Sequence, residues 1–350
     1  MINEKQMNIS VGIVAYNEED YLPELLDDIT NQTYPHDKIE IILIDSLSTD
    51  RTVEIMNDFK ANHSDFKEIV ILKNHKKKQA PGWNVAISNF SGDALIRVDA
   101  HAKIPCDFVE NNVKCLDSGE MVCGGVRPTL IKDKNMWSEV LLLAESSMFG
   151  SGIAPYRRTA QKKYVNSLFH GAYRREVFKK SGGFNEFLGR TEDNEFHYRI
   201  RQNGYNICMD SDICSYQYAR PTLRKMIQQK WGNGYWIGLT CSVVPKCFSL
   251  YHFIPMCFVM AIVISLLLMP ISKIFIVLLL SLYGLVAIGL TIAVFLKSKK
   301  NLLVLILPIL FFALHVSYGL GTCYGFLKIP FWRNRKNAIE NEEGNNIIIK

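Results

Sequence analysis

Ile9-Ser10-Val11-Gly12-Ile13-Val14-Ala15 is a short β-rich run, followed at once by Tyr16-Asn17 and the acids Glu18-Glu19-Asp20. An apolar run that gives way to clustered acids reads as a strand, a turn and a helix start. That helix is expected to reach about Gln32 and to stop before Pro35. Ile39 to Ile44 is apolar except for Glu40, as in a strand covered on both faces. Ser48 or Asp50 then stands where a cap is needed for a helix over Thr52 to Phe59. Ile69–Leu72 and Ala94–Val98 read as further strands, with a helix from about Pro81 to Asn89 between them. Strand and helix alternating in this way specify βαβ units, hence an α/β fold with a doubly wound, mostly parallel sheet.

The chain has 350 residues, which suggests about two domains. Lys and Arg number 40 against 34 Asp and Glu, a net charge of +6. That mild excess does not call for nucleic acid, and no RNP, zinc-finger or basic-zipper pattern occurs. Charge is unevenly spread. Between Lys246 and Lys273, Lys273 and Lys297, and Lys300 and Lys328 there is no charged residue. Each gap meets the ~20 apolar residues needed to cross a bilayer. The expected organisation is a catalytic part over residues 1–246, with an amphipathic interfacial helix region at 222–246. A membrane region of about three helices follows at 247–328, near Phe248–Met269, Ile274–Leu296 and Leu302–Leu327, and then a polar, loosely ordered tail at 329–350. A purely soluble enzyme is excluded.

Met1 to Ser10 lacks the apolar core of a signal peptide, so residues 1–246 are expected in the cytoplasm. With that part inside, Lys297, Lys299 and Lys300 obey the positive-inside preference, whereas Lys328, Arg333, Arg335 and Lys336 oppose it. Pro308 and the glycines Gly319, Gly321 and Gly325 are compatible with a segment that turns back. The nine cysteines form no Cys-x-x-Cys, which fits free thiols in a reducing compartment.

Ligands of such sheets bind beyond the carboxyl ends of the strands. Neither Gly-x-Gly-x-x-Gly after the first strand nor Gly-Lys-Ser/Thr is present, so phosphates must be held another way, for instance by a divalent metal. Asp99, with His101 two residues on, suits Mg²⁺ or Mn²⁺ bridging a diphosphate, and the imidazole leans toward Mn²⁺. A strand-end Asp capping a turn beside a structural His fits the spacing equally well. Asp45 ends a strand, too early to cap the next helix, and its carboxylate suits a uracil N–H or a ribose hydroxyl. Glu18 either faces the same crevice or is a first-turn acid favoured by the helix dipole. Glu192-Asp193 reads as dipole-matched surface acids or as the site of a general base on an attacking hydroxyl. In the basic run from Lys73 to Lys78, Lys78 stands nearest the sheet edge and is the candidate for an anionic donor.

Taken in order, these stretches resemble the family 2 glycosyltransferases of the GT-A type. The matching pieces are Val14-Ala15-Tyr16-Asn17-Glu18, Asp45-Ser46-Leu47-Ser48-Thr49-Asp50, Arg97-Val98-Asp99-Ala100-His101 and His170-Gly171-Ala172-Tyr173-Arg174-Arg175, with Gly183-Phe184-Asn185-Glu186 through Glu192-Asp193. The Asp-Ala-His form is most similar to succinoglycan-type exopolysaccharide glucosyltransferases of bacteria, which also carry carboxy-terminal membrane helices. The resemblance implies an inverting, metal-dependent transfer from a nucleotide sugar. Glu18 and Asp45 would hold the uridine part of the donor. Asp99 and His101 would place Mn²⁺ or Mg²⁺ on its diphosphate. Asp193 would be the base and Glu192 would position acceptor or base. Many relatives have Asp where His101 stands, which bears on metal use. The Gln-x-x-Arg-Trp motif of processive synthases is absent, since Gln228-Gln229-Lys230-Trp231 lacks its spacing, so one sugar per encounter is expected. The membrane region would bring the cleft to a polyprenyl-linked acceptor in the cell membrane. A non-catalytic membrane scaffold retaining the fold is the alternative. A sugar nucleotidyltransferase ranks below it, because strand one lacks a Gly-rich basic loop.

Overall fold

The computed structural model describes residues 6–147, 149–150, 162–297 and 301–343. They pack as two units, one of residues 6–128 and 162–218, the other of 129–150 and 219–343. The first unit ends at Tyr218. The cause is the helix Leu223–Thr240, whose partners are helices of the second unit.

In the first unit, β1 (Ile9–Ala15), α1 (Leu22–Thr30), β2 (Ile39–Asp45), α2 (Thr52–Asn62), β3 (Glu68–Lys73), α3 (Gln79–Asn89) and β4 (Ala94–Asp99) follow the expected alternation. After β4 come α4 (Phe108–Asp117) and the strand Val122–Val126. The sheet order is β3-β2-β1-β4, continued by Ala172–Arg174, Val122–Val126, Cys208–Cys214 and Lys163–Tyr164. β1 runs parallel to both β2 and β4, with Ala15 beside Asp45 and Val14 beside Asp99. The chain winds outward from β1 to β3 and then returns to the far side of β1. The carboxyl ends of β1 and β4 are thus the topological switch point, where crossovers diverge and leave a crevice. Strand Ala172–Arg174 enters antiparallel beside β4, which brings Gly171 and His170 alongside Arg97 and Asp99; Arg97 N–H donates to the Gly171 carbonyl at 3.0 Å.

Helices cover both faces. Leu22, Leu25, Ile29, Met56, Phe59, Phe108 and Val109 pack on one side of the sheet. Trp83, Ala86, Phe178, Phe196 and Ile200 pack on the other, through α3, α6 (Arg175–Ser181) and α7 (Glu192–Gln202). Burying one such side chain is worth about 1.5–3 kcal/mol, so the sheet is a rigid base for its loops.

The second unit contains α5 (Met136–Ser146), α8 (Leu223–Thr240), α9 (Ile254–Leu267), α10 (Ile274–Lys297) and α11 (Leu307–Glu343). Leu250–Leu267, Ile274–Leu296 and Leu302–Asn334 are long and apolar enough to cross a membrane. Two expectations are corrected here. Gly319, Gly321 and Gly325 do not turn the chain back, because α11 runs unbroken past them. The tail is not loose from residue 329: α11 continues to Glu343, through Pro330, in a stretch of helix-forming charged residues that meets no glycine before Gly344. Residues 344–350 of the expected tail lie outside the described residues.

The glycines serve close packing instead. A Cβ at Gly234 would stand 2.1 Å from the Tyr318 carbonyl oxygen, and one at Gly325 would stand 2.3 Å from that of Tyr235. α8 and α11 therefore touch backbone to backbone, as small residues permit between membrane helices. Gly234→Leu is expected to push these helices apart and lower the melting temperature in detergent by about 3–10 °C, from an overpacking cost of about 1–3 kcal/mol. Gly289→Leu, where a Cβ meets nothing within 4 Å, is the control and should leave it unchanged.

Candidate active site

The loops after β1 and β2 are stitched together by short polar side chains. Asn17 adopts a left-handed φ of 54°; its amide donates to Ser48 Oγ at 3.0 Å, and its Oδ1 accepts from Thr49 N at 2.8 Å. Glu18 N donates to Thr52 Oγ1 at 2.8 Å and Glu19 N to Asp50 Oδ2 at 3.1 Å. The helix consequently begins at Leu22, next to Pro23, and not at Glu18. Glu18 is thereby a loop residue at the switch point rather than a first-turn acid. Its Oε1 lies 3.0 Å from His101 Nδ1.

Asp45 is buried, and its two oxygens accept from the amides of Leu47 at 3.1 Å and Ser48 at 3.0 Å. It holds the loop in shape, with Leu47 at a left-handed φ of 61°. Lys78 is exposed at the start of α3, and its carbonyl accepts from Asn74 Nδ2 at 2.7 Å. The next residue, Gln79, donates through Nε2 to Asp99 Oδ1 at 3.2 Å.

Asp99 closes β4 with its Oδ2 3.3 Å from His170 Nε2, and His170 Nδ1 is 2.8 Å from Ser215 Oγ. Burial opposes the charge on Asp99. His170, with His101 and Arg97 nearby, outweighs that burial and holds Asp99 far below the usual carboxylate range. It is an ionised acid with a half-buried imidazole two residues along.

Among the described residues no group of three His, Cys, Asp or Glu is placed to hold a metal ion. Asp99 and His101 could hold a divalent cation only as a two-ligand site that leaves its other positions to groups from outside the chain, as is usual for Mg²⁺ with nucleotides. A carboxylate on one imidazole nitrogen, as Glu18 provides for His101, is the common companion of an imidazole that serves a metal through the other.

Across this strand end stands the start of α7. Asp193 Oδ1 accepts from Arg97 Nη1 at 2.5 Å. Arg97 is 3% exposed and its guanidinium lies 4.3 Å from the Trp83 ring centroid and 4.5 Å from that of Phe184. The loop that carries Phe184 turns at Gly182, at a φ of 71°, and a Cβ at Gly183 would meet Asn84 Oδ1 at 2.4 Å. Asn84 then holds Phe184 through both its amide and its carbonyl.

Glu192 differs from its neighbour. It is buried with Oε2 unpartnered, and burial, reinforced by the charge of Asp193, pushes it up to about 8. A neutral Glu192 accepts no proton at pH 7 but can donate one hydrogen bond. Its ordinary value is 4.5, so between roughly pH 4.5 and 8 the folded state binds more protons than the unfolded one and stability falls as pH rises. Glu192→Gln is expected to remove this loss, on the order of a few kcal/mol by pH 8, and to keep turnover near pH 6.5 within about threefold. Melting temperatures of both proteins from pH 5 to 9 check it.

The structure brings Asp99, His101 and Glu18 together and pairs Asp193 with Arg97. Sequence reasoning left Arg97 and His170 without a role. A charge inside the apolar run Ala94–Val98 was the available signal for Arg97, because arginine is seldom buried unpaired.

Residues 10–182 match the family model described as glycosyl transferase family 2. The chain carries a domain of that family and is a glycosyltransferase with a GT-A-like fold. It is 29% identical over 329 residues, 91% of its own length and 97% of the relative's, to the dolichyl N-acetyl-alpha-D-glucosaminyl phosphate 3-beta-D-2,3-diacetamido-2,3-dideoxy-beta-D-glucuronosyltransferase of Methanococcus voltae. It is 26% identical over 230 residues to the succinoglycan biosynthesis protein ExoA of Rhizobium meliloti, covering 64% of this chain and 67% of that one. The fold is that of the mannosyltransferase PcManGT from Pyrobaculum calidifontis, solved with GDP-Man and Mn²⁺, at a TM-score of 0.56 and 19% identity over 90% of this chain and 88% of the other.

Proposed function

We propose that the protein transfers one sugar, with inversion, from a nucleotide sugar to a lipid-linked saccharide in the synthesis of a cell-surface glycan. The reading rests on one strand. Two residues apart on one face of β4, Asp99 stands where a diphosphate would be held and Arg97 carries Asp193, the candidate base. A carboxylate that would hold a cation for the leaving diphosphate and a base for the attacking hydroxyl, brought to one strand end, are what a single in-line displacement needs. Asp99 and His101 would hold the divalent cation that neutralises the departing diphosphate. Glu18 would orient His101, while the loop shaped by Asp45, together with Lys78, would face the nucleoside and phosphates. UDP is the favoured nucleotide.

The acceptor side rests on the three apolar helices and on the relative from Methanococcus voltae, whose name gives a dolichyl-linked saccharide phosphate as its acceptor. In this reading the helices are membrane spans and residues 1–246 are cytoplasmic. Confining enzyme and acceptor to one surface raises their effective concentration by about 10²–10⁴. The test uses detergent-solubilised full-length protein. Calorimetry with UDP, GDP and CDP, in Mn²⁺ and then in EDTA, should give metal-dependent binding of UDP. Transfer from a panel of UDP-hexoses and UDP-N-acetylhexosamines should require a dolichyl- or undecaprenyl-linked saccharide, with an inverted anomer by NMR. Equal rates on lipid-free sugars would remove the membrane acceptor; no nucleotide binding in any metal would remove the donor site.

A further inference from the structure

We propose that Arg97 is a positioning residue for Asp193, its guanidinium locked between the rings of Trp83 and Phe184 so that the carboxylate is held ready for the acceptor proton. This rests on the reading of Asp193 as base. A guanidinium cannot shed its charge to escape burial, so a 3%-exposed arginine must be repaid by a counterion. That counterion is Asp193, which keeps 21% of its side chain exposed. The pair thus has one end anchored in the core and one facing outward. The anchor is built from several elements. Trp83 is fully buried in α3, and Phe184 is tied to the adjacent Asn84 at 2.7 and 2.9 Å. Arg199 Nη2 grips the Gly183 carbonyl at 2.6 Å while its Nε holds Glu195 of α7 at 2.6 Å. Two ring faces at 4.3 and 4.5 Å fix the plane of the guanidinium as well as its place. Among the described residues Nε finds no acceptor, so the clamp holds Nη1 on Asp193 while that hydrogen bond stays unmade. A salt bridge that merely tied α7 to the sheet would need no such control of angle, since a lysine reaching the same oxygen would serve.

The test is made on the full-length protein in detergent, with the UDP-sugar and lipid-linked saccharide of the panel above that the wild type turns over. Arg97→Met should lower kcat roughly 100-fold and Arg97→Lys about tenfold, with KM for the donor and calorimetric UDP affinity within about twofold of wild type. In Arg97→Gly, millimolar guanidinium should restore at least about tenfold of the lost kcat, and it should restore nothing to Asp193→Asn. An Arg97→Met enzyme with normal kcat beside an inactive Asp193→Asn would overturn the positioning role and leave the base intact. Loss of UDP affinity and kcat together, with no rescue and no difference between Lys and Met, would make Arg97 a packing residue only. An active Asp193→Asn would remove the base, and with it this proposal.

Discussion

Asp193→Asn should lose turnover by about 10³–10⁴-fold while binding UDP as the wild type does. The expectation follows from how little else the substitution changes. An asparagine keeps the shape of the side chain, and its carbonyl oxygen can still accept from Arg97 Nη1, which now sits 2.5 Å from Asp193 Oδ1. The helix start, the clamp on Arg97 and the strand end at Asp99 should therefore persist. What disappears is the capacity to take a proton, together with the negative charge opposite the buried Arg97, so the melting temperature should fall although the fold is kept. Glu192 cannot replace it near neutral pH, because burial keeps that carboxyl protonated. The two adjacent acids thus separate by environment, one half-buried against a permanent cation and the other buried with one oxygen unpartnered among the described residues. Initial rates, with UDP calorimetry on the same preparation, decide the matter. A variant that turns over within tenfold of wild type would move the base elsewhere.

The first four strands were legible because each is a mostly apolar run between turn residues, and β1 to β4 fall within a residue or two of their expected ends. The three apolar helices were legible from the absence of charge alone. Pairings were not. Arg97 and Asp193 are 96 residues apart, and Glu18 and His101 are 83 apart, so nothing local in either stretch announces the partner. His170 reaches Asp99 only because a three-residue strand, Ala172–Arg174, inserts antiparallel beside β4, and a strand that short has no periodicity to read. The helix start at Leu22 was misplaced for a related reason. Acids at 18–20 favour a helix in isolation, but four hydrogen bonds to the neighbouring loop, from residues 17 to 19 and to Asn17 itself, outweigh that preference. The role of the glycines in α11 was equally hidden, since close approach of α8 is a property of two helices and not of either sequence.

Asp99→Asn should abolish the difference between UDP affinity in Mn²⁺ and in EDTA. In the wild type that difference is expected to be about 30–100-fold, corresponding to roughly 2–3 kcal/mol of cation bridging between carboxylate and diphosphate. Without a cation, an ionised Asp99 repels a diphosphate; removing its charge leaves His101, His170 and Arg97 around a neutral amide. Metal-free UDP binding should thus hold or tighten in the variant, while the gain on adding Mn²⁺ disappears. A residue needed only for folding would instead weaken binding in both conditions, and the melting temperature would fall with it. His101→Ala should fall between the two, because Asp99 still offers one ligand and the phosphates supply the rest. If the Mn²⁺ gain survives in Asp99→Asn, the cation is not held at this strand end, and the pair formed by Glu18 and His101 must be explained without it.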